Sequence, residues 1–492
     1  MVIRNVARRA AGASSKNPGG LGRAALEAAK GLLACSGERI TKVDTAWLRM
    51  DSPANLMMIL GVWTFKPRIR HADLCQRVED RLLRYGRFRQ RVQEHVTGAS
   101  WSEDPRFDLA RHVVLEKLPR RGKGLQQAAL QARVAELAMR PLDREHPLWQ
   151  FHLVEDYDGG IALIAVTMSL MDGGAPPPAR QRSQAEERAD DWTPQGLVKP
   201  LADMSLKALG LAGAAAARSL GLLLDPRKGT AGTLGVGRLA WQVASDAAAL
   251  ALMPDDSATR LKGKPGTSKQ VAWCPPIPLE VVKAVGKALN CSVNDVLLSC
   301  VAGAIGAYLQ SQGDATAGQE IRAMVPVNLR TADHAQELGN RFGLVPLVLP
   351  IGIDNPVERV HELRRRMNAL KGSTQPFLTF ALLAVAGLMI KPAQDALLDL
   401  FGSKTTAVVT NVPGPREKLK LLGATLEQCM FWVPQSGDVG LGVSILSYGG
   451  GVQFGVIGAT SLCPHPQKII DEFEPEFAKL AWLTLMLPWE RD

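Results

Sequence analysis

The sequence predicts a mixed α+β fold of two lobes joined by a helical connector, in a chain of 492 residues. Segments with apolar residues at helical spacing are interleaved with short runs of β-branched and aromatic residues. Each half of the chain contains a β-hairpin with a glycine-rich turn, which argues against a doubly wound parallel sheet. Between these halves, the composition changes sharply after Gly173. These three observations favour two lobes of about 200 residues.

Four segments follow from this pattern: a basic, disordered tail over 1–39, a first lobe over 40–195, a helical connector over 196–261 and a second lobe over 262–492. Seven basic and two acidic residues fall in 1–40, so this stretch carries half of the net charge of +10. A basic tail on a nearly balanced body fits contact with anionic lipid headgroups, at about 1 kcal/mol per basic residue. A solvated tail without a partner is the alternative. A nucleic-acid partner is not expected, because no aromatic-rich basic groove accompanies the charge.

In the first lobe, apolar periodicity predicts helices and a central run of strands. The predicted elements are a helical turn at Thr41–Trp47, a strand at Met57–Phe65, helices at Ala72–Tyr85 and Leu125–Met139, and a hairpin of Trp149–Val154 with Ile161–Met168. The turn of this hairpin has the sequence D-Y-D-G-G, which is typical of β-turns. Residues 175–191 contain no apolar residue larger than alanine except proline, which predicts a loop.

The second lobe repeats the mixture of helices and strands. The predicted helices are Leu279–Asn290, Val293–Leu309 and Val357–Ala369, and the predicted strands are Val271–Cys274, Arg322–Val327, Gly343–Leu349, Ala407–Val412, Gln428–Val433, Gly440–Ser447 and Val452–Ile457. The last two strands are joined by Y-G-G-G, a second hairpin signal.

Several classes of protein are disfavoured by the composition. No apolar run reaches the ~18 residues of an ordinary transmembrane helix. The seven cysteines form no C-x-x-C pair, which argues against a zinc ribbon or a disulfide scaffold and favours a reducing compartment. The eight histidines show no metal-ligand spacing, so no metal site is expected.

A set of short motifs is the most informative feature of the chain. In chain order, these are Pro147-Leu148-Trp149, Asp172-Gly173, Asn294-Asp295, Val325-Pro326-Val327-Asn328, Leu338-Gly339-Asn340 and Asn411-Val412-Pro413-Gly414-Pro415. Together they resemble the bacterial wax ester synthase/acyl-CoA:diacylglycerol acyltransferase family, over about residues 40 to 485 apart from 167–195. The resemblance implies two lobes similar to the chloramphenicol acetyltransferase type of CoA-dependent acyltransferase, with a substrate tunnel between them.

The same resemblance implies partners and a location. Acyl-CoA would be the co-substrate, with no further cofactor, and diacylglycerol or a long-chain alcohol would be the acceptor. The protein would be cytoplasmic and peripheral, at the inner face of the membrane or on lipid inclusions. The implied reaction is fatty acyl transfer in triacylglycerol or wax ester synthesis.

The family's catalytic signature, H-H-x-x-x-D-G, is degenerate in this chain. Asp172 and Gly173 match its D-G, which aligns the two histidines with Thr167 and Met168. The second histidine of the signature is the general base that takes the hydroxyl proton of the acceptor. An imidazole can do this at neutral pH, because its pKa is near ~6.5. A thioether cannot, so the resemblance places the catalytic position at a residue that cannot perform the step.

Two histidines lie close enough in the sequence to be considered as substitutes, His146 and His152. His152 could replace the base only if its side chain shares a strand face with Met168. Asp172 is expected to orient its loop, as in the family, or to be simply a turn-forming residue.

By resemblance, the substrate-binding residues are Pro147, Leu148, Trp149, Asn294 and Asp295. The alternative is structural in each case. The first three would pack the core, and the last two would cap a helix and stabilise its dipole by about 0.5–2 kcal/mol.

The loss of pattern over residues 167–190 is larger than two substitutions. Two explanations stay open: decay of the site, or a local reading-frame error that restores itself before Trp192. The predicted function is an O-acyltransferase, impaired because the histidine is absent. A non-catalytic acyl-CoA- or lipid-binding relative is the alternative.

Overall fold

The computed structural model describes residues 38–95, 98–119, 123–169, 253–328, 342–371 and 402–486. The predicted tail over 1–39 therefore lies outside the described residues except for its last two positions. So do Asp172, Gly173 and the loop after them. Most of the predicted helical connector is outside as well, and its described part, 253–261, forms no helix or strand.

The described elements of the first half begin with a capped helix and end in a hairpin. They are α1 (Lys42–Met50), β1 (Met58–Lys66), α2 (His71–Arg77), β2 (Gln90–His95), β3 (Gly98–Glu103), β4 (Val113–Lys117), α3 (Lys123–Ala138), β5 (Trp149–Tyr157) and β6 (Gly160–Met168). The Thr41 hydroxyl accepts a hydrogen bond from the Asp44 amide at 3.1 Å and so starts α1. A β-carbon at Gly160 would stand 1.9 Å from the Phe65 carbonyl oxygen, so the β5–β6 turn requires glycine there.

The second half supplies most of the helices. Its elements are β7 (Lys269–Trp273), β8 (Ile277–Pro278), α4 (Leu279–Ala288), α5 (Val293–Ser311), β9 (Ile321–Asn328), β10 (Phe342–Leu349), α6 (Pro356–Lys371), β11 (Ala407–Pro413), β12 (Lys420–Leu421), β13 (Ala424–Trp432), β14 (Leu441–Tyr448), β15 (Gly451–Ala459) and α7 (Pro466–Leu485). The helix α4 ends at Ala288, and Asn290, the last residue of the predicted helix, lies beyond it with a φ of 52°.

The two lobes are built on two large sheets. The first has six strands in the order β12-β13-β1-β6-β5-β4, antiparallel except for the β4–β5 pair. The second has the order β10-β9-β11-β14-β15-β7, with β8 also paired to β15. The helices α4 to α7 contribute to one apolar core with the second sheet. This confirms the predicted two-lobed mixed α/β fold.

The second half of the chain contributes two strands, β12 and β13, to the first sheet, which the sequence did not indicate. Strand β13 comes from the second half of the chain, yet it pairs antiparallel with β1 in the first sheet, with Trp63 opposite Cys429. One apolar cluster accordingly contains Trp63 and Phe65 from the first half together with Val412 and Tyr448 from the second. The predicted boundaries of the lobes stay a prediction. They divide the sequence, whereas the first sheet contains strands from both sides of the predicted connector.

Candidate active site between the lobes

Met168 ends β6 at the junction of the two lobes. Its amide donates a hydrogen bond to the Leu148 carbonyl at 3.0 Å, and only 4 % of its surface is exposed. Its side chain belongs to an apolar cluster with Trp47 and Met57, and Leu344 of β10 packs against this cluster from the second sheet. The position that the resemblance predicts to align with the family's catalytic histidine therefore lies between the lobes.

Neither residue at the signature position offers a base. Met168 presents a thioether, which has no basic lone pair at neutral pH and is surrounded by apolar side chains. The Thr167 hydroxyl is directed toward backbone oxygens, at 3.3 Å from the Met168 carbonyl and 3.5 Å from the Leu148 carbonyl. In this geometry the Thr167 hydroxyl donates a hydrogen bond to these carbonyls, and a neutral hydroxyl is a poor base for the proton of the acceptor.

His152 shares the strand face of Met168 but lies too far along it. His152 is directly opposite Ile164 in the β5–β6 ladder, and Ile164 and Met168 point to the same face because they are four residues apart. At roughly 3.3 Å per residue, that separation is about 13 Å. A general base must be within hydrogen-bond reach of the proton it takes. His152 therefore does not replace the missing histidine.

The actual role of His152 is in a buried ion network. Its Nδ1 is 2.8 Å from the Glu116 carboxylate, which also receives two hydrogen bonds from Arg133 at 2.8 and 2.6 Å. Burial alone would raise the pKa of Glu116, but the hydrogen bonds from His152 and Arg133 outweigh it and lower the pKa to about 2. Glu116 thus remains ionised and holds the imidazole in place.

His146 is engaged at both ring nitrogens, whereas His152 is engaged at Nδ1 alone among the described residues. Its Nδ1 is 2.8 Å from the Asp104 carboxylate and its Nε2 is 3.0 Å from Arg111 Nη1. Because the guanidinium can only donate, Nε2 is the acceptor and Nδ1–H donates to Asp104. The lone pair that a general base would use is therefore already occupied.

The Pro147-Leu148-Trp149 motif lies beside the signature position. Leu148 is 1 % exposed and packs in the same cluster as Met168. Trp149 turns to the other side of the sheet, where its indole N–H donates to the Phe88 carbonyl at 2.9 Å and its ring stacks on His112 at 4.5 Å between centroids. Leu148 thus lines the space around Met168, whereas Trp149 packs on the opposite face of the sheet.

Asn294 and Asp295 occupy the start of α5. Asp295 and Ser292 form a capping box: the Asp295 amide donates to Ser292 Oγ at 3.1 Å, and the Ser292 amide donates to the Asp295 carboxylate at 2.9 Å. The Asn411 side chain donates to Asn294 Oδ1 at 2.6 Å, so two of the sequence motifs meet here. These contacts give both residues a structural role. Their contact with substrate stays a prediction.

One polar cluster near Met168 had no signal in the sequence. Lys269, Asn55 and Gln435 come from three distant segments and are all buried. They line a pocket together with Met58, which is directly opposite Met168 in the β1–β6 ladder. Directly opposed side chains have their β-carbons about 4.5–5.5 Å apart, so this pocket adjoins the signature position.

Solved structures similar to this chain share its two-lobed fold. A wax ester synthase/diacylglycerol acyltransferase from Marinobacter aquaeolei aligns with a TM-score of 0.62 at 21 % identity, covering 91 % of this chain and 100 % of that one. A starter condensation domain of rhizomide synthetase in complex with C8-CoA and Leu-SNAC aligns with a TM-score of 0.50 at 15 % identity, covering 93 % and 96 %. The fold is therefore that of the two-lobed acyltransferases and condensation domains.

Comparison of the sequence with protein families identifies one family within this fold class. The wax ester synthase/diacylglycerol acyltransferase catalytic domain matches residues 40–297, and the C-terminal domain of the same family matches residues 338–481. The chain belongs to this family of O-acyltransferases. Similar relatives from Mycobacterium tuberculosis are named probable diacylglycerol O-acyltransferase tgs1, 27 % identical over 84 % of this chain and 88 % of the relative, and tgs2, 26 % identical over 89 % and 97 %.

Proposed function

We propose that this chain transfers a fatty acyl group from acyl-CoA to diacylglycerol or a long-chain alcohol, at the junction of the lobes beside Met168. The observation that carries the proposal is the placement of the signature position between the two sheets, with Leu148 and Leu344 lining its apolar surroundings. Relatives that are named diacylglycerol O-acyltransferases over nearly the whole chain support the same acceptor class. Acyl-CoA serves as co-substrate, and the reaction needs no other cofactor.

In this reaction, the acceptor hydroxyl oxygen attacks the thioester carbonyl carbon. A C–O bond forms, the C–S bond breaks, and the hydroxyl proton ends on the CoA thiol. A positioned general base typically contributes ~10²–10⁴-fold to such a step. Because Met168 cannot accept the proton, the chain is expected to lack this contribution, which is about 3–5.5 kcal/mol of transition-state stabilisation at ~1.36 kcal/mol per tenfold.

A thiol-release assay tests this proposal. Full-length protein is incubated with a long-chain acyl-CoA and either diacylglycerol, hexadecanol or no acceptor, and free CoA and ester product are both quantified. We expect slow ester formation that depends on the acceptor and matches the CoA released. Acyl-CoA binding without any ester, with either acceptor, would instead identify a non-catalytic lipid-binding relative.

The proposed location is the surface of a membrane or lipid inclusion. Three apolar residues at the end of α7 are strongly exposed: Trp482 by 65 %, Leu485 by 61 % and Met486 by 78 %. An exposed tryptophan with aliphatic neighbours suits the boundary between headgroups and acyl chains, and the basic residues of 1–40 add attraction to anionic lipids. Among the described residues, one helix, Val293–Ser311, is long and apolar enough to cross a membrane, and 78 % of its apolar window is buried inside the second lobe.

Vesicle flotation tests the location. The triple variant Trp482→Ser, Leu485→Ser and Met486→Ser should bind vesicles containing anionic lipid more weakly than the parent chain, at both low and high salt. Deletion of residues 1–38 should weaken binding at low salt only, because surface charge is screened at high salt. Unchanged flotation of both variants would contradict the proposal.

A further inference from the structure

The helix α7 runs along α5 in the opposite direction and so ends near the place where α5 begins. Just before α7, the Cys463 thiol lies beside the Tyr308 hydroxyl, in the C-terminal half of α5. Further along α7, Glu476 pairs with Arg359, whose Nε donates to the Ser299 carbonyl at 3.0 Å, in the N-terminal half of α5. The last turns of α7 therefore extend toward the first residues of α5.

The turn between β14 and β15 and the start of α4 lie at the same end of the second lobe. The Phe454 ring of β15 stacks on the Phe473 ring of α7 at 3.9 Å between centroids, so the two elements lie side by side. From this contact, β15 extends back to its turn over about 10 Å, at roughly 3.3 Å per residue. The helix α7 extends to its end over about 18 Å, at roughly 1.5 Å per residue. The Leu279 amide of α4 donates to the Gly450 carbonyl of the turn at 3.0 Å.

The start of α5 and the end of β11 complete this end of the lobe. Asn294, in the first turn of α5, accepts a hydrogen bond from Asn411 of β11 at 2.6 Å. Strand β11 is parallel to β14, and the chain after it returns to the turn, where the Gly449 amide donates to the Pro415 carbonyl at 3.0 Å. We call this set the hairpin end of the second lobe: the β14–β15 turn, residues 413–420, the start of α5, the helix α4 and the end of α7.

Exposed apolar side chains are concentrated at the hairpin end. Of the eight large apolar side chains that are exposed in the described chain, five belong to α4 and the end of α7: Val281, Trp482, Leu483, Leu485 and Met486. The other three belong to the first lobe: Leu115, Leu125 and Met139. Because a soluble monomer rarely exposes apolar side chains in one place, such a concentration indicates a contact surface.

Exposed basic side chains accompany the apolar ones. Residues 279–290 and 413–420 together contain five basic and two acidic residues. Lys283 and Lys418 pair with glutamates. Lys287, Arg416 and Lys420 are exposed and have no ion-pair partner among the described residues. Free cations beside exposed tryptophan and aliphatic side chains are the combination by which proteins bind an anionic bilayer surface.

We propose that the second lobe docks on an anionic phospholipid bilayer by its hairpin end. The last turn of α7, with Trp482, enters the boundary between headgroups and acyl chains, and the free cations contact the headgroups. This deepens the proposed membrane location and rests on it, because it specifies which end of the lobe faces the lipid. The docked chain holds Asn294, which is predicted to bind substrate, next to the bilayer. The loop 312–318, at the other end of α5, faces away from it.

Arg140 and Lys264 provide a matched control at the opposite end of the lobe. Both are exposed, and neither has an ion-pair partner in the part of the chain that the structure describes. Gly266, two residues after Lys264, donates to Ser461 Oγ at 2.9 Å, just beyond the last residue of β15. The residue before Arg140 accepts, through its sulfur, the Lys269 amide at 3.1 Å, and Lys269 is opposite the last residue of β15.

Vesicle binding by two double variants of the full chain tests the docking face. The test variant combines Lys287→Gln with Arg416→Gln, and the control combines Arg140→Gln with Lys264→Gln. Each removes one lysine and one arginine from the surface and leaves the basic residues of 1–40 in place. On vesicles of phosphatidylcholine and phosphatidylglycerol at low salt, the Kd of the test variant should be about tenfold higher than that of the control. Equal binding by the two variants would overturn the proposal.

Hydrogen exchange of the vesicle-bound parent chain measures the orientation. We expect slower exchange in peptides from 413–420 and 479–486 on addition of vesicles, and unchanged exchange in 312–318. Protection of 312–318 instead, in a chain that still binds the vesicles, would overturn this orientation and leave the proposed membrane location in place. Absence of vesicle binding would overturn both. Neither experiment measures turnover, so the outcome is independent of acyl transfer.

A second copy of the chain is the other partner that could cover the apolar side chains of the hairpin end. Sedimentation velocity without lipid distinguishes the two, and we expect the parent chain to be a monomer at micromolar concentration. A dimer that dissociates in Trp482→Ser would assign this end to self-association and overturn the proposal.

Discussion

Replacing Met168 by histidine should restore the catalytic group that the family signature places at this position. The side chain is 4 % exposed and lies among apolar residues, so a histidine there would remain neutral at pH 7 and be available as a base. A well-positioned base would add ~10²–10⁴-fold. We expect the lower end, about 10²-fold, because the described apolar cluster around Met168 contains no polar side chain to fix the orientation of the imidazole, and a loosely held base loses much of its effect.

The substitution also has a cost in stability. A neutral imidazole in this cluster carries two nitrogens where the thioether carried none, and an unsatisfied buried polar group costs about 1–3 kcal/mol. Thermal unfolding should therefore show a lower Tm for Met168→His. Met168→Gln is the matched control, since it introduces a polar side chain of similar length that is not basic.

The assay compares acceptor-dependent CoA release by the parent chain, Met168→His and Met168→Gln at saturating acyl-CoA. The gain of Met168→His should grow as the pH rises through the titration of its imidazole, whereas Met168→Gln should show no gain. Adding Thr167→His, which completes the signature, should preserve or enlarge the gain. Robust turnover by the parent chain that survives Met168→Ala would refute the assignment of the catalytic position.

The remaining predictions concern stability and sequence. In the folded chain the pKa of Lys269 is about 8, below its ordinary value of 10.5, so the unfolded chain binds more protons between these two pH values and stability should rise with pH there. Between pH 7 and 10.5, the free energy of unfolding of the parent chain should increase by about 3 kcal/mol relative to that of Lys269→Met. Urea unfolding of both proteins measures this difference. Glu476→Leu should cost about 3–5 kcal/mol, because it leaves the buried Arg359 without its carboxylate, and a Tm equal to that of the parent chain would contradict this. Mass spectrometry of the natural protein should recover a peptide across Pro176–Arg188 if the site has decayed, and its replacement by a different, apolar-patterned peptide would demonstrate a reading-frame error.

The sequence predicts elements well where the pattern is local. The helix α5 and the hairpin β5–β6 were predicted within a few residues, because apolar periodicity and turn chemistry are properties of neighbouring residues. The sequence does not predict the strands β2, β3, β4, β8 and β12 or the helix α7. Strand β2 has only one buried apolar residue, Val92, so it carries almost no alternation to detect.

Non-local features could not be predicted in the same way. The pairing of β13 with β1 joins opposite halves of the chain, and no local signal specifies which sheet a strand enters. The Lys269–Asn55–Gln435 cluster depends on the same assembly, since its members meet only once both lobes are folded. The helix Ala72–Tyr85 was predicted as one element, whereas the structure has α2 followed by a π-helical turn at Val78–Leu82, in which the hydrogen bonding shifts by one residue.

The same difference between local and non-local features applies to the residues of the candidate site. Resemblance located Met168 and Leu148, and the structure brings them into one cluster at the lobe junction. The sequence could not decide whether His152 substitutes for the missing base, because this depends on strand register. Register places His152 on the correct face but about 13 Å away along the strand, at roughly 3.3 Å per residue.

The rate of ester formation from acyl-CoA and diacylglycerol should be measured for the parent chain and for Met168→His side by side, with equal amounts of folded protein. We expect slow, acceptor-dependent ester formation by the parent chain and a gain of about 10²-fold on restoring the imidazole. Rapid ester formation by the parent chain, unaffected by any substitution at Met168, would contradict this expectation.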